Sequence, residues 1–371
     1  MILTLPPMDV AARAERVRAE LPADALLVTK LVNVRWLTGF TGSAGWVVVL
    51  PDRLALVTDG RYETQATEQL AAAGVEADIE IGMSVAVQDE LLAKLVSACS
   101  TVALESHVVT WSEQRRYAEL LEAELVPSEA LIDGLRVVKD DGEIARVEAA
   151  AAIATEALSR LRARLLEQPT EAEFGIELDT EMRRLGASGP SFETIVASGP
   201  NAAKPHHRPS SRRIVEGDLV VLDYGAKVDG YCSDMTRTVC IGDPTPHQQR
   251  MLDVVTEAQA AGVAAVRAGA GCRAVDTVCR DVIAAAGWAD AFAHGTGHGV
   301  GLEIHEAPRL ASSVDEAATL AARSVVTVEP GVYLPGIGGV RVEDSVVVTD
   351  DGCRSLTHAP KDPAWPSRPT T

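Results

Sequence analysis

Residues 293–306, AHGTGHGVGLEIHE, hold His294, His298 and His305 among glycines. A core strand or helix has little use for either type at that density. Imidazoles beside a backbone stripped of side chains suit a place where an ion or a substrate comes close. Two other stretches supply acids. In LVVLDYGAKVDGYCSDMTRTVC (219–240), strand-like runs flank the turn-prone tetrad KVDG. A turn symmetric about the Val228–Asp229 bond would set Asp223 directly opposite Asp234, with Cβ atoms about 5 Å apart. Like charges so opposed destabilise a sheet, and a cation between them reverses that sign. In VVTVEPGVYLPGIGGVRVEDSVVV (325–348) the same construction centres on Gly336 and brings Glu329 to Glu343. Arg341, two residues before Glu343, shares its face of the strand.

Four carboxylates and one imidazole, His298, have the composition of a two-cation site. Two divalent ions balance four carboxylates, and a neutral histidine completes the shell. Oxygen-rich ligation favours Mn²⁺ or a similar hard ion; Co²⁺, Fe²⁺ and Zn²⁺ are also compatible. Ions roughly 3.5–4 Å apart can bridge a water and deliver it as hydroxide near neutral pH. Plainer readings compete. Taken alone, Glu329 and Glu343 read equally well as surface acids beside a turn, His305 as a histidine at a strand end, and Arg341 as a brace for an acidic cluster. For Asp223 and Asp234 the plain reading is a solvated hairpin edge, but aspartate is a poor strand former and VVLDYG is an apolar run. His207 reads as a surface or positioning residue. The glycines do not spell G-x-G-x-x-G, and no strong strand immediately precedes them, which argues against a nucleotide loop.

These side chains need elements to hold them. The chain has 371 residues, too many for one ordinary core, so two domains are expected. Up to about residue 125, strand-like runs (25–30, 46–50, 53–59, 101–106) alternate with helical patterns (8–21, 61–74, 110–125), which indicates an α/β layer. Thr110 with Glu113, and Thr170 with Glu173, have the spacing of capping boxes. A long alanine-rich helix is predicted over 141–167. Further helices are predicted near 246–267, behind Thr245 and Pro246, and near 273–286. From residue 190 onward, glycines, prolines and short β-branched runs predict an α+β domain with its strands in hairpins. The two acid-bearing hairpins suggest a pseudo-twofold arrangement. Residues 360–371 read as a loose tail.

Composition excludes several functions. There are 34 Lys and Arg against 53 Asp and Glu, a net charge of −19 with no basic block, so nucleic acid is not an expected partner. No run approaches the roughly 20 apolar residues of a membrane span. The N-terminus lacks the basic start and apolar run of a signal peptide. The six cysteines include no C-x-x-C pair and read as free thiols. A cytoplasmic location follows as an expectation.

DYGAKVDGYCSDMTRT, HGTGHGVGLEIHEAP, TVEPGVY and GGVRVEDS, in that order, resemble the M24-type metal-dependent peptidases of the pita-bread fold. That group includes methionine aminopeptidase, aminopeptidase P and prolidase. The resemblance spans about residues 140–355. NVRWLTGFTGSAGWVVV and VTDGRYETQA resemble the creatinase-type N-domain of the proline-specific branch. The resemblance implies a creatinase-like α/β domain over 1–130, an α+β pita-bread catalytic domain over 138–358 and a tail over 359–371. It implies two divalent ions on Asp223, Asp234, His298, Glu329 and Glu343. It gives His206, in KPHHRP, and His305 catalytic roles on the substrate side, and makes Glu329 the residue that takes and passes a proton. His294 and Arg341 become substrate-binding residues. The implied activity is hydrolysis of the N-terminal Xaa-Pro bond of peptides by a homodimer or larger homo-oligomer. Restriction to Xaa-Pro dipeptides competes with it, and no residue that would block a longer chain is identified. A metal-free creatinase-like enzyme and a catalytically inactive binding protein also compete; the complete ligand set counts against both. One departure stands out: Arg323-Ser324 occupies the place where a Gly-Met pair is common.

Overall fold

The computed structural model describes residues 5–362. The chain divides into two compact units, Pro7–Arg136 and a second that joins the residues before Pro7 to those from Val137 onward. No helix among the described residues is long and apolar enough to cross a membrane.

The first unit carries helices α1 (Arg13–Glu20), α2 (Leu31–Thr38), α3 (Glu63–Ala72), α4 (Val85–Leu95), α5 (Trp111–Leu120) and α6 (Leu131–Leu135). Its strands are β1 (Ala25–Val28), β2 (Trp46–Val49), β3 (Leu54–Thr58), β4 (Asp78–Ile81), β5 (Thr101–Glu105) and β6 (Glu124–Ser128). They form one mixed sheet in the order β4-β3-β2-β1-β5-β6. β1, the apolar run ALLV, is buried at every position, as a strand covered on both faces must be. On one side Leu27, Val48, Val102 and Leu104 pack with Leu92 of α4 and Tyr117 of α5. The Thr110–Glu113 box opens α5 as predicted. The helix predicted to run to residue 125 ends earlier, because Leu121 turns extended and β6 pairs in parallel with β5. An unfilled sheet edge outweighs the helix propensity of LLEAEL.

The second unit carries α7 (Asp141–Leu161), α8 (Glu171–Arg184), α9 (Pro246–Ala265) and α10 (Cys272–Ala285). Capping boxes open three of them: Asp140 with Glu143, Thr170 with Glu173, and Thr245 with Gln248. The predicted long helix gives way at Arg162 to a 3₁₀ segment ending at Glu167. The strands are β7 (Gly189–Pro190), β8 (Ile195–Ser198), β9 (Leu219–Tyr224), β10 (Ala226–Val228), β11 (Tyr231–Cys232), β12 (Met235–Cys240), β13 (Gly297–Gly299), β14 (Glu306–Leu310), β15 (Val325–Val328), β16 (Gly331–Leu334), β17 (Gly338–Arg341), β18 (Asp344–Val348) and β19 (Cys353–Ser355).

Strand periodicity sorts these residues into core and site. Val220, Leu222 and Tyr224 of β9, with Met235 and Val239 of β12, pack on Ala150, Ile153 and Ala157 of α7 and Phe174 and Leu178 of α8. The period of two then turns Asp223, Thr236 and Thr238 to the other face. In the second half Val326 and Val328 of β15, with Val346 and Val348 of β18, pack on Val255 and Ala258 of α9 and Cys279 and Ile283 of α10. Thr327 and Ser345 take the other face. Each half thus backs one sheet face with a helix pair and turns its site residues to the other, in keeping with a pseudo-twofold layout.

The two hairpin registers fare differently. β15–β18 and β16–β17 both pair in the register centred on Gly336: Val328 lies opposite Asp344, and Gly331 opposite Arg341. Glu329 and Glu343 occupy the break between these two ladders. In the other hairpin Asp223 lies opposite Thr236, not Asp234, and Val228 lies opposite Tyr231. The turn is Asp229-Gly230, both at positive φ (44° and 76°). This is the two-residue Asp-Gly turn whose twist matches that of paired strands. Its centre lies one residue beyond the predicted one, so the partner shifts by two. A shift of two keeps the face, and Asp234 remains a diagonal neighbour of Asp223.

Two local expectations change. Arg323 has φ +69°, in the left-handed region that favours glycine. Its Nε donates to Lys139 O at 2.7 Å and its Nη2 to Asp141 Oδ1 at 2.6 Å; a non-glycine residue held there costs about 1–3 kcal/mol. The predicted tail is held at its start: Ala359 is buried, and the carbonyls of Ala359 and Pro360 accept from Arg237. The predicted tail residues 363–371 lie outside the described residues.

Gly297 explains one glycine of the opening motif. A Cβ there would lie 2.0 Å from Thr327 O. Gly297→Ala is expected to lower stability by about 1–3 kcal/mol or more through overpacking. Thermal or urea unfolding checks this, and an unchanged midpoint would contradict it.

Candidate functional site

A cleft of about 470 Å³ in the second unit is lined by Asp223, Asp234, His298, Glu329 and Glu343, together with His206, His294, His305 and Arg341. Every site residue predicted from the sequence therefore reaches one cleft. β9 supplies Asp223. Asp234 sits just before β12, His298 lies within β13, and Glu329 and Glu343 stand at the ends of β15 and β18.

The cleft is built around unbalanced charge. One oxygen each of Asp234 and Glu343 and one ring nitrogen of His298 lie within 4.8 Å of one another. His298 Nε2 is 3.5 Å from Asp234 Oδ2 and 3.4 Å from Glu329 Oε1. Its Nδ1 is 3.0 Å from Gly299 O, an acceptor only, so Nδ1 carries the proton and Nε2 presents a lone pair. Burial pushes the His298 pKa down to about 4, against the pull of the Gly299 carbonyl, so the ring is neutral at pH 7. A lone pair facing carboxylates is repulsive unless a cation intervenes.

The acids show the same deficit. Asp223 Oδ1, Asp234 Oδ1 and Glu343 Oε1 are buried with no hydrogen-bond partner, whereas buried polar atoms are nearly always paired. Burial, then Glu343, Asp223 and Glu329, push Asp234 well above the ordinary carboxyl range. Burial, then Glu329 and Asp223, do the same to Glu343. Burial raises Glu329 to about 8, with Arg341 opposing and Asp223 adding. The donor set, the unpartnered oxygens and the neutral histidine all fit divalent cations.

Hydrogen bonds to the remaining oxygens hold the acids in place. Thr236 Oγ1 donates to Glu343 Oε2 at 2.7 Å, and Thr327 Oγ1 to Glu329 Oε1 at 3.2 Å. Arg341 is buried, and its Nη2 donates to Asp223 Oδ2 at 2.5 Å, its Nε to Thr236 Oγ1 at 3.0 Å and its Nη1 to Tyr333 OH at 2.7 Å. Arg341 thus braces the acids as well as lining the cleft. Tyr333 OH also meets His294 Nε2 at 2.8 Å. Burial, and then Arg341, lower the His294 pKa to about 4. Asp276 of α10 accepts from Thr296 N at 3.0 Å and from Thr296 Oγ1 at 2.8 Å, while Arg280 Nη2 donates to His294 O at 2.5 Å. α10 therefore fixes the segment that carries both His294 and His298.

His305 stands more open. Its ring lies 4.4 Å from that of His298, nearly edge-on, and burial lowers its pKa. The neighbouring Glu306 is held by Lys139 Nζ at 3.1 Å and by Glu303 N at 3.0 Å. His207 turns away from the cleft to Glu171, at 2.9 Å. Sequence reasoning missed Tyr333, Thr236, Asp276 and Arg309. Thr236 could have been found by strand parity from Asp234. Arg309 lines the cleft and pairs with His298 across β13–β14.

Residues 145–350 match the model of metallopeptidase family M24, and residues 12–138 match that of the creatinase/prolidase N-terminal domain. The chain is 41% identical to the uncharacterized peptidase YqhT of Bacillus subtilis over 344 residues, 92% of this chain and 96% of the relative. The Xaa-Pro dipeptidase structure from Bacillus anthracis superposes with a TM-score of 0.89 at 39% identity, covering 94% of this chain and 98% of that one. The X-Pro aminopeptidase structure from Thermotoga maritima gives 0.86 at 33% identity, covering 94% and 99%. With the family model, the relatives and the cleft in agreement, the chain belongs to metallopeptidase family M24, as a two-domain pita-bread member with a creatinase-type N-terminal domain.

Proposed function

We propose that this metallopeptidase hydrolyses the bond between an N-terminal residue and a following proline, with two divalent ions, Mn²⁺ in the first instance, held by Asp223, Asp234, His298, Glu329 and Glu343. The observation that carries the reading is the convergence of three unpartnered carboxylate oxygens and the free Nε2 of His298 in one cleft. Bound there, such ions would polarise the scissile carbonyl and make water easier to deprotonate. Glu329, ionised once cations neutralise the cleft, takes a proton from the attacking water. It passes that proton to the proline nitrogen, which as a tertiary amide has no hydrogen of its own and must gain one to leave. His206 and His305 donate to the oxygen that gains charge, a role worth about 3–4 kcal/mol per donor in other oxyanion holes. His294 and Arg341 shape the wall that receives substrate. The six unpaired cysteines suit a reducing cytoplasm.

A second reading restricts the substrate to dipeptides, and Arg309 favours it. A guanidinium in the cleft can pair with the free carboxylate that a dipeptide offers beside its scissile bond. Offering Xaa-Pro and Xaa-Pro-Xaa peptides to Mn²⁺-loaded enzyme, with and without chelator, tests both readings. If the dipeptide reading holds, Xaa-Pro is cleaved, Xaa-Pro-Xaa is not, and Arg309→Met raises KM for Xaa-Pro. Cleavage of both substrates, or an unchanged KM in the variant, would remove it.

The charged cleft generates two further expectations. Asp234→Ala should lose most bound metal and most turnover while keeping its fold, checked by metal analysis, activity and circular dichroism; full turnover would refute the site. The second concerns pH. Acids with raised pKa values contribute stability that is complete below the ordinary carboxyl range and is lost as pH climbs through about 8 for Glu329. Chelated protein should therefore unfold more easily at pH 8 than at pH 5 from this source. Added Mn²⁺ should raise the melting temperature more at the higher pH, where protons no longer compete. A metal-induced shift independent of pH would contradict this.

A further inference from the structure

Glu171 is the first residue of α8 and is fully buried. The segment from Ser198 to Ser210 is gathered onto its carboxylate. Oε1 accepts from Ser198 N at 2.8 Å, Ser198 Oγ at 2.7 Å and Asn201 Nδ2 at 3.1 Å. Oε2 accepts from Ser210 N at 3.1 Å, Ser210 Oγ at 2.6 Å and His207 Nε2 at 2.9 Å. One side chain thus closes both ends and the middle of the segment. Burial works against the charge, but these donors prevail and hold the Glu171 pKa at about 2, so the anchor is ionised and acceptor-only at working pH. His207, facing a carboxylate, must donate.

His206 sits inside this closed segment. Lys204 N donates to Asn201 O at 2.9 Å, and His207 N to Lys204 O at 3.2 Å. On the cleft side Arg341 Nη1 reaches Pro205 O at 3.3 Å. The two adjacent histidines are divided between tasks: His206 lines the cleft, while His207 belongs to the anchor.

We infer that Glu171 is a positioning residue, whose buried carboxylate, with His207 as its donor, sets the direction in which His206 meets the substrate. The inference rests on the reading of His206 as catalytic. A side chain misplaced by about 1 Å can cost up to roughly 100-fold in rate, so loosening the segment should appear in kcat more than in KM.

A kinetic cycle on the full-length Mn²⁺-loaded enzyme with an Xaa-Pro substrate tests it, alongside hydrogen exchange of residues 199–210. Glu171→Gln should lower kcat roughly 10- to 100-fold, change KM little and raise exchange in the segment. In a His206→Ala background the same change should have no further effect. His207→Gln, which removes one donor only, should act in the same direction with a smaller loss and should likewise be silent without His206. Multiplying losses in the double variants, or unaltered exchange, with His206→Ala still impaired would overturn the positioning role alone. Full turnover by His206→Ala would overturn the catalytic reading of His206 and this inference with it.

Discussion

Four carboxylates share one buried cleft with one buried arginine among them. Arg341 meets only Asp223 directly, and the unpaired oxygens of Asp223, Asp234 and Glu343 face the same space. A single guanidinium cannot balance that charge. Much else in the catalytic unit follows from it. Thr236 and Thr327, each two residues from an acid of the cleft, donate to Glu343 and Glu329. The histidine is kept neutral by burial and aimed by a backbone carbonyl. The apolar faces of β9, β12, β15 and β18 are packed on helices, so the acids cannot relax away from each other. The core supplies the rigidity that keeps the repulsion from rearranging the strands.

The two halves solve the same problem with different residues. Glu171 on α8 gathers the segment carrying His206, and Asp276 on α10 gathers the segment before His298. Both are buried helix carboxylates that accept from a backbone N–H and a side-chain hydroxyl of the segment they hold. The resemblance lies in the role, since one opens its helix and the other sits a turn further in. Helices in this unit therefore serve twice, as the apolar backing of the sheets and as anchors for the irregular stretches that carry imidazoles.

Much of this was legible in the residues. Capping boxes at Thr110 and Thr170 located helix starts because their signal is local. The Glu329–Glu343 register is legible because the midpoint of the two acids, Gly336, falls inside the Pro/Gly-rich connection. The Asp223–Asp234 register differs from the expected one because Asp-Gly, the true turn pair, sits at the end of the tetrad and not in its middle. Strand parity nevertheless kept both acids on one face. What escaped was non-local. β6 pairs with an edge that β5 offers from another part of the chain, and Arg323, in a glycine-like backbone, meets Lys139 and Asp141 far from it in sequence. Tyr333 supports the cleft from behind through Arg341 and His294, which no short spacing announces.

The Asp229-Gly230 turn has one more implication. It is surface chain, remote from the chemistry, and most replacements compatible with positive φ would leave the acids where they are. Its length is another matter. A slide of one strand by one position, which a change in that length would permit, would carry Asp223 or Asp234 from the cleft into the apolar layer beneath. The hairpin works as a ruler for the acids, tolerant of spelling and intolerant of insertion or deletion.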